Sequence, residues 1–318
     1  MAVNQSSTLI KDLFTQVALP PFAGPAIPFT PIPLTDGAKP REVYMTNPAM
    51  DLRPGASRYD PAGVLQKWTA VYDALQRCGA EITIIEQSED STPTEQMIFP
   101  RDRAILLGDK AYVPHSASAH PRCYAPFHSF LEGEGYDVIK TLSPQWQGGN
   151  VRVDRQTQTI FWGYDSEEWE LENLQEHTFP LIKETQDIDW NIVPVYLKDH
   201  RIALKNSSID IPTIYHMDMG LSERLEGGEL LFAPALTDEK TADTIREIIG
   251  RDNIIEIDRV NALNGAANLN FSGRNIVADI ETPELVERGY QTITAAHYGL
   301  PSFEVRKGRT HCLTLERI

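Results

Sequence analysis

From Arg41 onward, short apolar runs alternate with amphipathic stripes. Between Pro61 and Arg77, the residues Val64, Leu65, Trp68, Val71, Tyr72 and Leu75 recur at helical spacing and form one apolar face. Pro61 opens that stretch and Gly79 closes it, as helix ends prefer. Val43–Met45 before it and Ile82–Ile85 after it are apolar runs of strand length. The same event recurs along the chain. Pro121–Glu132 leads to Tyr136–Ile139, Glu167–Gln175 to Trp190–Val195, Glu239–Ile249 to Asn253–Ile257, and Pro283–His297 to Phe303–Val305. The five strands lie roughly 50–60 residues apart, a spacing that marks a repeat.

Between these units lie paired strands. They are Ala104–Leu107 with Ala111–Val113, Val151–Val153 with Thr159–Trp162, Glu229–Phe232, and Ala267–Phe271 with Asn275–Val277. Gly108-Asp109 and Ser272-Gly273 are the turn signals between two of the pairs. The pattern predicts five ββαβ-like modules in one α/β domain over residues 41–318. A closed ring of five would bring strand ends from different modules together at its centre. Residues 1–40 carry Pro20, Pro21, Pro25, Pro28, Pro31, Pro33 and Pro40. Proline resists helix and central strand, so this segment is expected to be an arm on the domain or on a partner subunit.

Composition narrows the function classes. The 318 residues are 41% hydrophobic and 23% charged, with a net charge of −16. The sequence pI is about 4.9. That balance disfavours nucleic acid and anionic membrane, and it suits a small cationic partner. No apolar run approaches the roughly 18 residues of a membrane span, and Met1–Phe14 lacks the pattern of a signal peptide. Three cysteines, Cys78, Cys123 and Cys312, read as reduced thiols of a cytoplasmic enzyme.

Four places carry residues suited to chemistry. Cys312 lies in Gly308-Arg-Thr-His-Cys312-Leu-Thr-Leu315, which is expected to be the last strand; alternation then sets Cys312 opposite Leu313 and Leu315. A buried thiol is the commoner reading of a free cysteine, and Cys78 and Cys123 are taken that way. His216 and Asp218 lie in Ile214–Asp218, where a strand would put both on one face. A histidine near a thiol can shuttle its proton. Asp102, in Phe99-Pro-Arg-Asp102, offers a carboxylate that matches the donor fork of a guanidinium. Gln147-Gly-Gly-Asn150 lets backbone come close to a bulky neighbour, whereas Glu226-Gly-Gly-Glu229 reads as a hairpin turn. No spacing typical of metal ligands is present, and no cofactor is expected.

Together these places resemble the guanidino-group-modifying, or pentein, superfamily of amidinotransferases, arginine deiminases and dimethylarginine dimethylaminohydrolases. The resemblance rests most on His216-Met-Asp218 and His311-Cys-Leu-Thr-Leu315. Asn47-Pro48, the Gln66–Trp68 segment and Asn268 fit it as well. It implies a five-bladed α/β propeller of ββαβ modules with pseudo-fivefold symmetry. It also implies Cys312 as nucleophile, His216 as acid and base, and Asp102 and Asp218 as holders of the guanidinium.

Two departures stand out. Most of the superfamily carries Glu-Gly-Gly-Asp, and its glutamate completes a catalytic triad. Here Gln147 and Asn150 are neutral amides, as in the Gly-Gly-Asn of peptidylarginine deiminases, so Gln147 is expected to act without charge. The second departure is Gly163–Glu168. It holds acids where arginine deiminases place an arginine for the substrate α-carboxylate, which leaves Arg122 and Arg152 as candidate anchors. The expected activity is a cysteine-dependent hydrolase on a guanidino C–N bond. An amidinotransferase with the same covalent intermediate, or a non-catalytic binding protein, remains open, and so does assembly as a homo-oligomer.

Overall fold

In the computed structural model, the described residues are 27–35, 39–48, 61–86, 99–114, 121–141, 146–164, 168–198, 214, 216–303 and 309–316. They form a mixed α/β fold of five small sheets. Strand β1 (Glu42–Thr46) pairs in parallel with β2 (Glu81–Ile85) across helix α1 (Pro61–Arg77). The predicted stripe is why α1 sits there: Leu65, Trp68, Val71 and Leu75 are fully buried. Next come the hairpin β3 (Ile105–Leu107) and β4 (Lys110–Val113), then helix α2 (Pro121–Gly133) and parallel β5 (Asp137–Lys140).

Strands β6 (Val151–Asp154) and β7 (Thr159–Tyr164) repeat the pattern. Helices α3 (Glu168–Asn173) and α4 (Phe179–Thr185) lead from them to parallel β8 (Asn191–Tyr196). In the fourth unit, the four-residue helix α5 (Met217–Gly220) precedes β9 (Leu230–Phe232). Helix α6 (Glu239–Ile249), capped by Asp238 through Thr241 N–H, then leads to parallel β10 (Ile254–Glu256). The antiparallel partner of β9 shrinks to one bridge, Leu221 to Phe232.

Helix α7 (Arg259–Leu263) opens the fifth unit. Its hairpin is β11 (Asn270–Ser272) and β12 (Asn275–Val277), and helix α8 (Pro283–Glu287) leads from it to parallel β13 (Gln291–Ile293). The last strand, β14 (Leu315–Glu316), returns to β1 as its antiparallel partner. The first unit is therefore completed by the end of the chain.

Three sequence expectations are corrected here. The fifth helix ends at Glu287, not His297. Gly289 follows at φ +83°, and the β-branched Thr292 and Ile293 enter a strand. The returning strand is thus Gln291–Ile293; Phe303 is buried outside any strand, and Glu304 and Val305 lie outside the described residues. Residues 217–220 are helical instead of extended. His311–Leu313 is a 3₁₀ turn, so Cys312 precedes the final strand and strand alternation does not govern it.

Residues 27–35 of the arm lie on the domain. Asn275 receives Ile32 N–H on its side-chain oxygen at 2.8 Å and donates back to Ile32 O at 2.7 Å.

Candidate active site

The repeat explains how distant residues meet. Each site segment stands just before the first strand of a module. Pro100–Arg103, a 3₁₀ turn, precedes β3, and Gly148–Asn150 precedes β6. His216 stands at the N-terminal flank of α5 ahead of the Leu221 bridge, Asn268 stands before β11, and His311–Leu313 comes before β14. The turn Pro100–Arg103 packs on both Gly148–Asn150 and His311–Leu313, and α5 packs on Gly148–Asn150 and β6.

Cys312 is buried, and its thiol donates to Asp218 Oδ2 at 3.5 Å. Asn268 donates from Nδ2 to the same sulfur at 3.5 Å, while its Oδ1 accepts the His311 N–H at 2.8 Å. Burial, then the nearby Asp102 charge, push the thiol up to about 11, against the opposing influence of Arg309, Asn268 and Arg152. The resting group is therefore a thiol, in keeping with its donation to a carboxylate.

Gly149 is the hinge of the site. A Cβ at that position would lie 2.8 Å from His216 Nδ1 and 3.0 Å from Asp102 Oδ1, so the two side chains flank the glycine from opposite modules. The Gly149 N–H donates to Asp102. Burial nevertheless raises Asp102 to about 6, because this N–H and Arg101, Arg103 and Arg152 only partly offset the lost hydration. Asp102 Oδ1, Asp218 Oδ1 and Asn150 Oδ1 are sealed from solvent with no hydrogen-bond partner among the described residues. Buried acceptors without donors are costly. Three of them here are what a donor-rich ligand would satisfy.

Below this layer lies a buried charge network that sequence reasoning did not anticipate. Arg152 donates to Leu221 O and Val151 O, both at 2.9 Å, and bonds His311 Nδ1 at 3.2 Å through Nη2. The same Nη2 lies 3.5 Å from Asp218 Oδ2. His311 Nε2 faces Glu223 Oε1 and Glu316 Oε2, each at 3.4 Å. Arg41 pairs with Glu223, and Arg101 with Glu316 at 3.1 Å. Glu223, His311 and Glu316 bring ligand atoms within 4.8 Å of one another. Arg41 and Arg101 already neutralise both carboxylates, which makes the trio an ion network more than a metal cradle.

The expected residues are thus placed unequally. Cys312, Asp218, His216 and Asp102 are linked through the contacts above, and Asn150 follows Gly149 in the same turn. Arg152 is also here, but its donors point into the protein floor and toward Asp218, which does not suit it to anchor a substrate carboxylate. Gln147 accepts the Asn150 N–H on its backbone oxygen at 2.9 Å, and its side chain makes no hydrogen bond to a described residue. The side chains of Arg122 and Cys123, and all of Tyr215, lie outside the described residues. Cys78 is buried beneath α1, and burial pushes its thiol up. A cavity of about 610 Å³, lined by Arg41, Glu223, Arg224 and Phe271, does not include Cys312 or His216.

The mixed α/β fold matches that of guanidino-group-modifying, or pentein, enzymes. Among solved structures, the chain is similar to the N-terminal domain of ArgZ covalently bonded to a reaction intermediate. The TM-score is 0.66 at 19% identity, covering 87% of this chain and 98% of that one. ArgZ is an arginine dihydrolase from the ornithine-ammonia cycle in cyanobacteria. A mutant of AgrE in complex with L-arginine matches with a TM-score of 0.66 at 19% identity over 87% of this chain, which spans 40% of that longer protein. A dimethylarginine dimethylaminohydrolase adduct with S-methyl-L-thiocitrulline matches with a TM-score of 0.58 at 17% identity, over 87% and 100% of the two chains. No sequence-family profile matches the chain, nor does any curated protein sequence. No helix among the described residues is long and apolar enough to cross a membrane.

Proposed function

We propose that the protein is a cysteine-dependent hydrolase of a guanidino C–N bond, working at the centre of a five-bladed ring of ββαβ modules. The observation that carries this reading is the convergence on Cys312 of Asp218 and Asn268, with His216 and Asp102 meeting at Gly149. These residues are scattered over more than 200 positions of sequence. The ring is supported by the five similar sheets and by the pairing of β14 with β1. The chemistry is supported by the neighbours: one was solved as a covalent reaction intermediate, another as an adduct with a thiocitrulline.

A guanidinium has a planar fork of donors, and a carboxylate accepts such a fork. Asp102 and Asp218 offer unpartnered buried oxygens for it. Binding the cation neutralises the two charges that face the thiol and so eases loss of its proton. The Cys312 thiol passes its proton to His216, and its sulfur adds to the guanidinium carbon, forming the C–S bond. His216 gives a proton to the departing nitrogen, and the C–N bond breaks. The S-alkylthiouronium that remains is attacked by water, whose proton His216 takes. The C–S bond breaks, the thiol is restored, and a ureido product leaves. Asn150, through its free Oδ1, is a further acceptor for substrate N–H groups.

Intact-protein mass spectrometry after exposure to guanidino compounds tests this reading. Wild-type protein should gain a covalent adduct that maps to Cys312 and is lost in Cys312→Ser. A ureido product should accumulate without any added amine. Turnover only in the presence of an amine acceptor would replace the hydrolase with an amidinotransferase. No adduct and no turnover across the panel would replace it with a binding protein.

A further inference from the structure

Extending the reading just proposed, we infer that His311 is a positioning residue. As a neutral imidazole protonated on Nε2, it holds Arg152 so that Asp218 presents its free oxygen to the substrate. The tautomer follows from the partners. Nδ1 lies 3.2 Å from Arg152 Nη2 in hydrogen-bond geometry, and a guanidinium can only donate, so Nδ1 accepts there; Asp218 Oδ2 stands farther from Nδ1, at 3.5 Å, and faces Arg152 Nη2 as well. Nε2 stands 3.4 Å from both Glu223 Oε1 and Glu316 Oε2, and carboxylates only accept, so Nε2 must carry the hydrogen. The shorter contact at Nδ1 and both contacts at Nε2 therefore point to the same neutral form.

The same geometry sets Asp218. Arg152 Nη2 reaches His311 Nδ1 on one side and Asp218 Oδ2 on the other, at 3.5 Å. The Cys312 thiol also donates to Oδ2. The contacts of this carboxylate with Arg152, His311 and the thiol thus all fall on Oδ2, and Oδ1 is buried with no hydrogen bond among the described residues. Arg152 cannot turn away, since Nε and Nη1 are tied to Leu221 O and Val151 O. His311 fixes the remaining arm.

A second proton on His311 would break this arrangement. Nδ1–H would point a donor at Arg152 and compete for Asp218 Oδ2. The groups that face the ring from every side are Arg152, Asp218, Glu223, Glu316 and Arg101, with Arg41 behind Glu223. Burial, then Arg152 and Arg101, oppose the imidazolium, against Glu316 and Glu223, which favour it, with Asp218 a third carboxylate at the ring. Burial is the largest influence, and His311 is held down to about 4. The positioning form therefore persists through the neutral range.

Two measurements test the inference. Nitrogen-15 spectra of the imidazoles, with His311 assigned by its loss in His311→Asn, should show a neutral Nε2–H tautomer from pH 6 to 8. An Nδ1–H tautomer or an imidazolium at pH 7 would overturn it. Kinetics with agmatine and L-arginine as separate probes supply the other arm. His311→Ala should raise KM roughly tenfold to a hundredfold, the usual effect of losing a hydrogen bond to a charged group, with a smaller change in kcat. His311→Asn, whose Oδ1 can replace Nδ1 as acceptor, should recover most of that loss. Equal KM in wild type and His311→Ala, with only a lower Tm, would make His311 merely structural and sink the idea. Should wild-type protein form no adduct and turn over neither probe, the proposed hydrolase fails. The tautomer would then decide the His311 arrangement alone.

Discussion

The Cys312 sulfur faces Asp218 Oδ2 at 3.5 Å, so the proposed nucleophile rests against a carboxylate and not against a cation. Burial, and after it the Asp102 charge, push the thiol up to about 11, so the proton stays on the sulfur. Iodoacetamide should therefore label Cys312 slowly at pH 7, with a rate that climbs steeply above pH 9. Asp102→Asn removes one of the raising charges and should speed labelling several-fold at pH 8. A guanidinium that occupies the site without reacting should shift the labelling profile to lower pH, provided that it leaves the sulfur accessible. Rapid labelling of the free protein at pH 7 would contradict this picture of a thiol activated by its own substrate.

Asp102 should dominate the acid limb of activity. Its carboxyl is raised to about 6, and only the ionised form can hold a guanidinium. The kcat/KM of free protein and substrate should then fall tenfold for each pH step once below about 6. Stability runs the other way. The folded group binds its proton more tightly than the unfolded one, whose value is 3.8. The stabilisation from protonated Asp102 is complete below about pH 4 and is lost as pH rises through 6. Asp102→Asn should accordingly raise Tm at pH 7, by an amount equivalent to about 1–3 kcal/mol. It should do little at pH 3.5. Lower stability of Asp102→Asn at pH 7 would show that the carboxylate is a net stabiliser, and the inferred desolvation would be wrong.

The two adjacent glycines make a sharp contrast available. A Cβ on Gly149 would stand 2.8 Å from His216 Nδ1 and 3.0 Å from Asp102 Oδ1. One on Gly148 would press into backbone instead, against Arg101 O and 2.7 Å from Ala104 O. Backbone carbonyls yield less readily than side chains. Gly148→Ala should cost several kcal/mol of stability. Gly149→Ala should fold with a Tm near wild type and lose on the order of a hundredfold in kcat, since His216 is displaced by about an ångström. Equal damage to Tm in the two variants would remove Gly149 from its proposed role.

Much of this architecture was legible in the sequence because it depends on periodic signals. Helix α1 announces itself by a six-residue stripe between Pro61 and Gly79, and the hairpins at Gly108 and Gly273 by their turn residues. Where an element is shorter than one period, that signal vanishes. His216 and Cys312 sit at the start of a four-residue helix and inside a three-residue turn, and both read as strand by default. The chemistry of the site was visible in residue types and order. Its floor was not, because Arg41, Arg101, Glu223 and Glu316 are charged residues, which sequence reading assigns to the surface. Only the sheets that bring β14 back to β1 place Glu316 beside Arg101. Asn268 and Asn270 carried a weak clue, as amides in an otherwise apolar strand approach, and both are fully buried against the Cys312 turn.

Gln147 offers the remaining test of how the site manages charge. It stands immediately before the Gly148–Asn150 turn, is only partly buried, and has no hydrogen bond from its side chain to a described residue. By the sequence resemblance, its place is where pentein enzymes carry a glutamate that completes a catalytic triad. An amide there can orient His216 but cannot stabilise an imidazolium by charge. A charge-assisted hydrogen bond is worth about 1.5–3 kcal/mol, and each ~1.4 kcal/mol is a factor of ten in rate. If His216 becomes positively charged during the reaction, Gln147→Glu should raise kcat roughly tenfold or more on a simple guanidino substrate. The acid limb should also move, because an added carboxylate favours protonated His216. A fall in kcat would mean that the pocket is built for a neutral group, with the amide contacting the substrate itself. Gln147→Glu and Gln147→Ala both indistinguishable from wild type would place the side chain outside the reaction. Asp154, the nearest acid in sequence, is then a poor substitute. It is already committed to Arg224 at 2.6 Å and to Thr157 at 2.7 Å. The support for His216 would in that case fall to Asp102, across Gly149.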